Sequence, residues 1–226
     1  MKILILVAMG KELRLLLPMV ENSHVINIDG REYTKGFIGH HHVTVGQCGI
    51  GKVNSALTTQ RMIMEEKPDL VINTGVAGGA AEDIHPLDVV IALQVAYHDV
   101  WCGPGTEYGA ADGFPVRMKT ASEPVDAAIT AIPYLRKGLI CSGDKFIDSR
   151  IQIEEICSRF PDALAVDMES ASILQTCTAM GTPCAIIRVI SDSPRSGDNF
   201  AEYVNFWNDA PQATFTALKG MLEALD

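Results

Sequence analysis

The sequence has no excess of basic residues and no long hydrophobic run. Its 226 residues include 18 Lys and Arg against 28 Asp and Glu, which gives a formal net charge of −10 with neutral histidines. Nucleic-acid binding requires a basic face that displaces counterions from phosphates, so this charge disfavours nucleic acid as a partner. No stretch of about 18 consecutive apolar residues is present, which disfavours a membrane span.

The sequence also lacks cysteine pairs at metal-binding spacing. Its six cysteines form no CxxC motif, and the run from His40 to His42 has no cysteine partner at the spacing of a zinc site. We therefore expect no metal. Hydrophobic residues make up 47% of the chain, enough for a core without disulfides. We interpret the thiols as reduced side chains of a cytoplasmic protein.

Apolar runs of strand length alternate with amphipathic segments of helix length. The apolar start of the chain is interrupted by Lys11 and Glu12, and no small-residue cleavage site follows, so we expect a buried strand there and no signal peptide. The predicted strands are residues 2–8, 25–28, 33–38, 42–47, 70–73, 88–96, 138–141, 163–166 and 184–190. The predicted helices are residues 11–17, 52–66, 123–131, 150–160, 169–180 and about 200–225.

This alternation predicts the α/β class. We expect a single domain over residues 1–226, with a mixed central β-sheet flanked by α-helices on both faces. Residues 101–119 are rich in Gly and Pro and have no clear periodicity. Because unstructured segments of this length in compact domains are usually functional or mobile, we expect this one to have such a role.

Two glycine-rich segments follow predicted strands. Residues 46–53 read GQCGIGKV and nearly match the P-loop GxxxxGK[ST], but Val53 lacks the hydroxyl that binds magnesium in that motif. This disfavours hydrolysis of a nucleoside triphosphate. Residues 73–79 read NTGVAGG and lack the GxGxxG order of dinucleotide-binding turns. On spacing alone, these glycines fit a close approach to a ligand and a simple turn equally well.

Three carboxylates lie next to predicted strands. Glu12 follows the first strand, Glu169 begins a helix after another, and Asp192 ends the most apolar strand. Ligands of open α/β sheets bind at the carboxyl ends of strands, so these three side chains are candidates for one site. Glu12 and Glu169 also fit as solvated acids in the first turn of a helix. Asp192 fits less well as a helix cap, because Pro194 and Gly197 follow it.

Seven short motifs, taken together, resemble a known family. They are AM with Glu12 (8–12), GIGKV (49–53), NTGVAGG (73–79), YHD (97–99), SGDKFI (142–147), VDME (166–169) and RVISD (188–192). In this order and spacing they resemble the bacterial 5′-methylthioadenosine/S-adenosylhomocysteine nucleosidases of the nucleoside phosphorylase superfamily. The resemblance extends from residue 1 to about residue 200.

The resemblance implies hydrolysis of the bond between adenine N9 and ribose C1′, without metal or organic cofactor. Asp192 would donate a proton to adenine N7, Glu12 would orient and deprotonate the water, and Glu169 would bind the ribose hydroxyls. To stay protonated near neutral pH, Asp192 needs a pKa well above the ordinary value of about 3.9. A dry setting or nearby carboxylates would raise it. Alternatively, Asp192 is ionised in the free enzyme and takes up its proton as the substrate binds.

The resemblance also implies the residues that contact the substrate. The Phe146 ring lies against the base, main-chain groups of Ile147 bind its polar edge, and Met168 packs under the sugar. A lid from a second subunit, carrying Trp101 and Cys102, covers the 5′ group, which implies a homodimer. The full set expected at a small-molecule nucleoside substrate is Met9, Ile50, Val76, Ala77, Gly78, Phe146, Ile147, Met168, Glu169, Ser191 and Phe200.

Two departures from the family pattern leave the preferred 5′ group open. Position 76 is usually serine in the family and is valine here, and residues 100–108 are shortened and changed. Methylthioadenosine, adenosylhomocysteine, 5′-deoxyadenosine and a deoxyfutalosine-like nucleoside remain candidate substrates. A purine nucleoside phosphorylase is the alternative reaction. It is disfavoured because phosphorolysis needs arginines for the phosphate dianion, whereas Glu12 would repel that anion.

Overall fold

Strands and helices alternate along residues 1–209 and 213–225, which the computed structural model describes. The strands are β1 (Lys2–Val7), β2 (Glu21–Ile28), β3 (Arg31–Ile38), β4 (His41–Gln47), β5 (Leu70–Gly79), β6 (Val89–Tyr97), β7 (Met118–Lys119), β8 (Arg136–Ser142), β9 (Ala163–Asp167) and β10 (Cys184–Asp192). The helices are α1 (Gly10–Leu16), α2 (Lys52–Glu66), α3 (Ser122–Ala131), α4 (Arg150–Arg159), α5 (Ser170–Met180), α6 (Asn199–Asp209) and α7 (Ala213–Glu223).

Strand β1 shows how the layers are arranged. Its side chains alternate between the two faces of the sheet, as the period of two in a strand requires. Ile3, Ile5 and Val7 pack on one face with residues of α1, α3 and α7. Leu4 and Leu6 pack on the other face with residues of α2 and α5. The predicted α/β architecture, with helices on both faces of a central sheet, is confirmed.

The sheet contains both parallel and antiparallel strand pairs, and its strand order places the ends of several strands close together. The order is β10-β6-β8-β9-β5-β1-β4-β3-β2, with β7 on β6 and an additional pairing between β5 and β10. The strands β5, β10, β6, β8 and β9 therefore form a closed ring. Because β5 runs parallel to both β1 and β10, the carboxyl ends of these three strands lie together.

The glycine motif extends a strand, which differs from the sequence prediction. The predicted strand ended at residue 73, but β5 continues through Gly79. Its second half pairs with β10 on one side, and Gly78 and Gly79 pair with β9 on the other. The predicted 101–119 segment likewise ends in the short strand β7, which pairs with β6. Glycine weakens the strand propensity of the second half of β5, and tertiary pairing overrides it there.

The helix predicted over about residues 200–225 corresponds to two described helices, α6 and α7. The part of the prediction that covers residues 210–212 lies outside the described ranges. Within the described residues, no helix is long and apolar enough to cross a membrane.

Candidate active site

A pocket opens where β1, β5 and β10 end. The space between its protein atoms is about 640 Å³, a volume that includes the open solvent at its mouth. It is lined by Ala8, Met9, Glu12, Ile50, Val76, Ala77, Gly78, Lys145, Phe146, Ile147, Val166, Asp167, Met168, Glu169, Ser191, Asp192 and Tyr203. The three carboxylates singled out in the sequence thus lie in one pocket.

Glu12 is held by backbone groups. It lies in the first turn of α1 and is only 2% exposed. The Met9 N–H donates to Oε2 at 2.8 Å, and the Val76 N–H donates to Oε1 at 3.1 Å. Burial raises the pKa of Glu12, and the two backbone bonds and the charge of Arg188 oppose this shift. The carboxylate is fixed in place, and burial moves its pKa toward the range useful for a general base.

Gly75 explains why the glycine motif is needed beside Glu12. Its φ is +146°, and a Cβ built on it would collide with Oε1 of Glu12. The glycine therefore allows the carboxylate to reach the backbone of β5. The spacing left open a close approach to a ligand and a simple turn. Gly75 lies inside β5 and not in a turn, and the group close to it is the Glu12 side chain.

Glu169 is held by the start of a different helix. It precedes α5, and its Oε1 accepts the N–H of Gly51 at 2.9 Å, at the N-terminus of α2. The positive end of a helix stabilises a carboxylate there. Burial nevertheless raises the pKa of Glu169, with a further upward effect from the neighbouring Asp167.

Asp192 is held by side chains. Ser191 Oγ donates to Oδ1 at 2.6 Å, and Asn199 Nδ2 donates to Oδ2 at 3.2 Å. Asp192 is 2% exposed, and burial raises its pKa, while the bonds from Ser191 and Asn199 lower it. The like charge that adds to the upward shift is Glu202 on α6. The sequence predicts this contribution from the other two pocket acids, Glu12 and Glu169, whereas Glu202 is the carboxylate that provides it.

Arg188 donates to several neighbouring polar groups. Its Nε and Nη2 donate to Asp167 Oδ2 at 2.9 and 2.8 Å. Nη2 also bonds Asn73 Oδ1 and, at 2.9 Å, Ser170 Oγ. Asp167 is thus the carboxylate partner of this arginine. With its donors used in this way, Arg188 is a buried structural cation beside the pocket.

Aromatic and thioether side chains form the apolar part of the pocket. The rings of Phe146 and Tyr203 meet edge to face, with centroids 5.6 Å apart. The Tyr203 hydroxyl lies 3.5 Å from Met9 Sδ. Lys11 lies over the Tyr203 ring at 4.2 Å and over the Trp207 ring at 4.0 Å. These contacts attach α6 to α1 across the pocket.

Most of the predicted substrate residues line this pocket. The exceptions are Phe200, which is 65% exposed, and Trp101 and Cys102, which are exposed on the 101–119 segment. Helix α6 directs Asn199 and Tyr203, four residues apart, toward the site, and Phe200 lies about 100° around the helix from Asn199.

Sequence reasoning missed Asn199, Tyr203 and Lys145. The i, i+4 spacing of Asn199 and Tyr203 in a predicted helix was the available signal for the first two. Lys145 lies inside the SGDKFI motif beside Phe146, and no pattern marked its side chain. Among the described residues, no group of three or more His, Cys, Asp or Glu side chains is placed to hold a metal ion.

Comparisons with known proteins identify the family. The family model for the phosphorylase superfamily matches residues 2–223. The 5′-methylthioadenosine/S-adenosylhomocysteine nucleosidase of Lysinibacillus sphaericus is 37% identical over 212 residues, which cover 90% of this chain and 92% of that protein. The protein of the same name from Geobacillus kaustophilus is 36% identical and covers 90% of each chain.

Solved structures match over nearly the whole chain. The S. pneumoniae 5′-methylthioadenosine/S-adenosylhomocysteine nucleosidase with the transition-state inhibitor MT-ImmA superposes with a TM-score of 0.95, at 34% identity and with full coverage of both chains. The Neisseria meningitidis enzyme with methylthio-immucillin-A gives a TM-score of 0.93, at 32% identity and 99% coverage of both chains. The present chain belongs to the phosphorylase superfamily and, within it, to the 5′-methylthioadenosine/S-adenosylhomocysteine nucleosidase family.

Proposed function

We propose that this protein hydrolyses the N-glycosidic bond of methylthioadenosine and S-adenosylhomocysteine and releases adenine. The observation that carries the proposal is the convergence of Glu12, Glu169 and Asp192 in one pocket that contains an aromatic ring suited to a base. Cleavage develops positive charge on the sugar and negative charge on the leaving purine, so the site must stabilise the first and protonate the second.

Asp192 is the proposed proton donor to adenine N7. Burial keeps its pKa above the ordinary value, so it holds a proton closer to neutral pH than an exposed aspartate does. Phe146 packs against the base, and main-chain groups of Ile147 bind the polar edge of the base. Val76, Ala77, Gly78 and Ser191 complete that side of the pocket.

Glu12 is the proposed general base for the attacking water, and Glu169 binds the ribose hydroxyls. The backbone bonds that fix Glu12 orient it toward one water position, and negative charge beside the sugar stabilises the developing cation. Met9, Ile50 and Met168 supply apolar contacts around the sugar.

The charge of the pocket favours water over phosphate as the nucleophile. Among the described residues that line it, the cationic side chain is Lys145, while four carboxylates line it as well. Arg188 lies nearby, but it is buried, and its Nε and Nη2 groups already donate to Asp167, Asn73 and Ser170. A phosphate dianion would therefore meet more acidic than basic side chains, and the phosphorylase alternative is not favoured.

Adenine release in phosphate-free buffer tests the reaction. We expect purified protein to convert methylthioadenosine and S-adenosylhomocysteine to adenine and the free 5′-substituted ribose, at a rate that added phosphate leaves unchanged. Formation of a ribose 1-phosphate only when phosphate is present would instead establish a phosphorylase. Parallel assays with 5′-deoxyadenosine and aminodeoxyfutalosine would rank the 5′ groups.

We further propose a cytoplasmic homodimer in which each subunit supplies the lid of the other site. Helix α2 exposes Val53 at 68%, Leu57 at 62% and Met64 at 60%. A helix face of this kind is typical of a protein interface. The exposed Trp101 and Cys102 would then reach the pocket mouth of the second subunit, near Phe200, and cover the 5′ group.

Sedimentation of the wild type and of Leu57→Glu tests the dimer. We expect a wild-type dimer and a variant that dissociates and loses affinity for methylthioadenosine. The matched control is Ile151→Glu, because Ile151 is also strongly exposed but lies on α4. An active monomeric wild type would rule out the borrowed lid.

A further inference from the structure

Three charged residues, Lys52, Asp99 and Asp144, form a cluster directly behind two walls of the pocket. One wall includes Glu169, and the other includes Phe146. Lys52 Nζ donates to both carboxylate oxygens of Asp99, at 3.0 and 2.9 Å. Oδ2 of Asp99 also accepts the backbone N–H of Asp144 at 2.8 Å, and Oδ1 of Asp144 accepts the backbone N–H of Lys52 at 2.7 Å. None of these side chains lines the pocket. The lysine is the one in the near-P-loop motif of the sequence.

The first wall is attached to this cluster through the start of α2. Lys52 begins the helix, and the preceding residue, Gly51, donates its N–H to Glu169. Two consecutive backbone N–H groups therefore bind two carboxylates, one belonging to the pocket and one to the cluster. Gly51 has a φ of +89°, and a Cβ there would lie 2.9 Å from Oδ1 of Asp144, which restricts the position to glycine.

The second wall is attached through the segment after β8. Asp144 stands two residues before Phe146, whose ring lies in the pocket. Asp99, which follows β6, binds the Lys52 ammonium and the Asp144 N–H at the same time. It therefore joins the start of α2 to the segment that carries Phe146 and Ile147.

We propose that Lys52, Asp99 and Asp144 form a brace that fixes the ribose wall, including Glu169, relative to the base wall, including Phe146. The three are positioning residues, since they act through other groups. The proposal rests on the proposed function, because it assigns those walls to the two halves of a nucleoside. It also gives the lysine of the near-P-loop motif a carboxylate partner in place of a phosphate.

The geometry distinguishes this brace from an ordinary surface ion pair. Exposed pairs contribute little because both side chains must be ordered in water. Here the Lys52, Asp99 and Asp144 side chains are 23%, 27% and 46% exposed, and the difference lies in Asp99, which binds a backbone group as well as the ammonium. Small displacements of positioned groups lower reaction rates strongly. A brace between two walls should thus affect ligands that touch both walls more than ligands that touch one.

Two ligands, one that touches both walls and one that touches a single wall, test this expectation in the Asp99→Asn variant. The nucleoside probe is 5′-methylthiotubercidin, which has carbon in place of N7 and so does not need the proton of Asp192. The one-wall probe is adenine. By calorimetry we expect Asp99→Asn to weaken the nucleoside about 10-fold and adenine less than about twofold. Equal losses for both ligands, or no loss for the nucleoside, would overturn the proposal.

A double-mutant cycle tests whether the brace acts through Glu169. In a Glu169→Gln background, we expect Asp99→Asn to cause little further loss of nucleoside affinity, because the carboxylate that it positions is already absent. Additive losses of affinity in the double variant would overturn the proposal that the brace acts through Glu169. If Asp99→Asn does not fold, Lys52→Met replaces it, and Lys52→Arg should recover most of the affinity because it restores a cation for Asp99.

The matched control lies at the other end of the same helix. Lys35 pairs with Glu66, the last residue of α2, at 2.8 Å. Lys35→Met removes an ion pair of the same kind and should change the affinity for neither probe. A wild type that neither binds the nucleoside nor releases adenine would refute the proposed function. A functional wild type with an unaffected Asp99→Asn variant would refute the brace alone.

Discussion

Glu12 and Asp192 lie in the same pocket and are equally buried, but they are held in different ways. Glu12 accepts N–H groups from the backbone of Met9 and Val76. Asp192 accepts hydrogen bonds from the side chains of Ser191 and Asn199. Backbone donors cannot rotate away, whereas a hydroxyl or an amide can. The first carboxylate is therefore fixed, and the second can exchange hydrogen-bond partners.

This difference fits the two proposed roles. A base that activates water must keep one orientation, and a rigid backbone site provides it. An acid that delivers a proton changes from a neutral to a charged group during the reaction, so it benefits from neighbours that can reorient. Ser191 can both donate and accept a hydrogen bond. The rotatable neighbours of Asp192 thus accommodate both protonation states.

The largest expected effect is the loss of the proton donor. Asp192→Asn should lower kcat/KM for methylthioadenosine by about 1000-fold, within the range of general acid catalysis. The fold should persist, because asparagine can bond to both Ser191 and Asn199. Steady-state adenine release and circular dichroism provide the two measurements. Full activity in a folded variant would remove Asp192 from its proposed role.

Gly75→Ala tests the rigid side of the comparison. The new Cβ would meet Glu12 Oε1, and the backbone has a φ of +146°, so we expect about a 100-fold loss of kcat/KM through displacement of the base. The matched variant is Gly78→Ala, beside Asp192. There a Cβ would lie 3.6 Å from Oδ2 and 3.3 Å from Val166 Cγ2, so we expect a much smaller loss, about threefold. Similar losses in both variants would contradict the difference in rigidity.

The sequence was sufficient for the layered fold and for the three pocket acids. The helix predicted over residues 52–66 matches α2 (Lys52–Glu66), because its period of 3.6 is clear and Gly51 precedes it. Glu12, Glu169 and Asp192 were candidates because each lies next to an apolar strand. The resemblance to the nucleosidase motifs then favoured a shared site over solvated acids at helix starts, and the sheet brings the three side chains together.

Sequence reasoning failed where tertiary contacts override local preference. The extension of β5 through Gly79 depends on pairing with β9 and β10, which no local signal reports. The role of Asn199 depends on which side of α6 faces Asp192. The contribution of Glu202 to the Asp192 pKa depends on the same docking of α6. These are relations between elements, so only the assembled structure shows them.

Ser191→Ala tests Asp192, the carboxyl group that is held by side chains. Because the Ser191 hydroxyl lowers the pKa of Asp192, its removal should raise that pKa. The active form of the donor is protonated, so the alkaline limb of the kcat/KM profile should move to higher pH. At neutral pH we expect about a tenfold loss from the missing orientation. A limb that moves to lower pH would contradict the assignment of this limb to Asp192.

The smallest effect concerns stability and compares Glu12→Gln with Asp192→Asn directly. Both carboxyl groups have a pKa raised by burial, so the folded state binds their protons more tightly than the unfolded state does. The free energy of unfolding of the wild type therefore falls as pH rises from the unfolded pKa to the folded pKa. Each variant lacks one of these carboxyl groups and so loses that group's share of the decrease in the free energy of unfolding.

The two variants differ in what they leave unpaired. In Glu12→Gln, one backbone N–H faces an amide NH2, and that buried donor loses its acceptor. In Asp192→Asn, the new NH2 can donate to Ser191 Oγ, and the oxygen can still accept from Asn199. We therefore expect Glu12→Gln to be less stable than Asp192→Asn by about 1 to 3 kcal/mol in urea unfolding at neutral pH. Equal stabilities would mean that backbone and side-chain donors hold these two carboxyl groups equally firmly. Glu12 and Asp192 would then differ only in their chemical roles as base and acid.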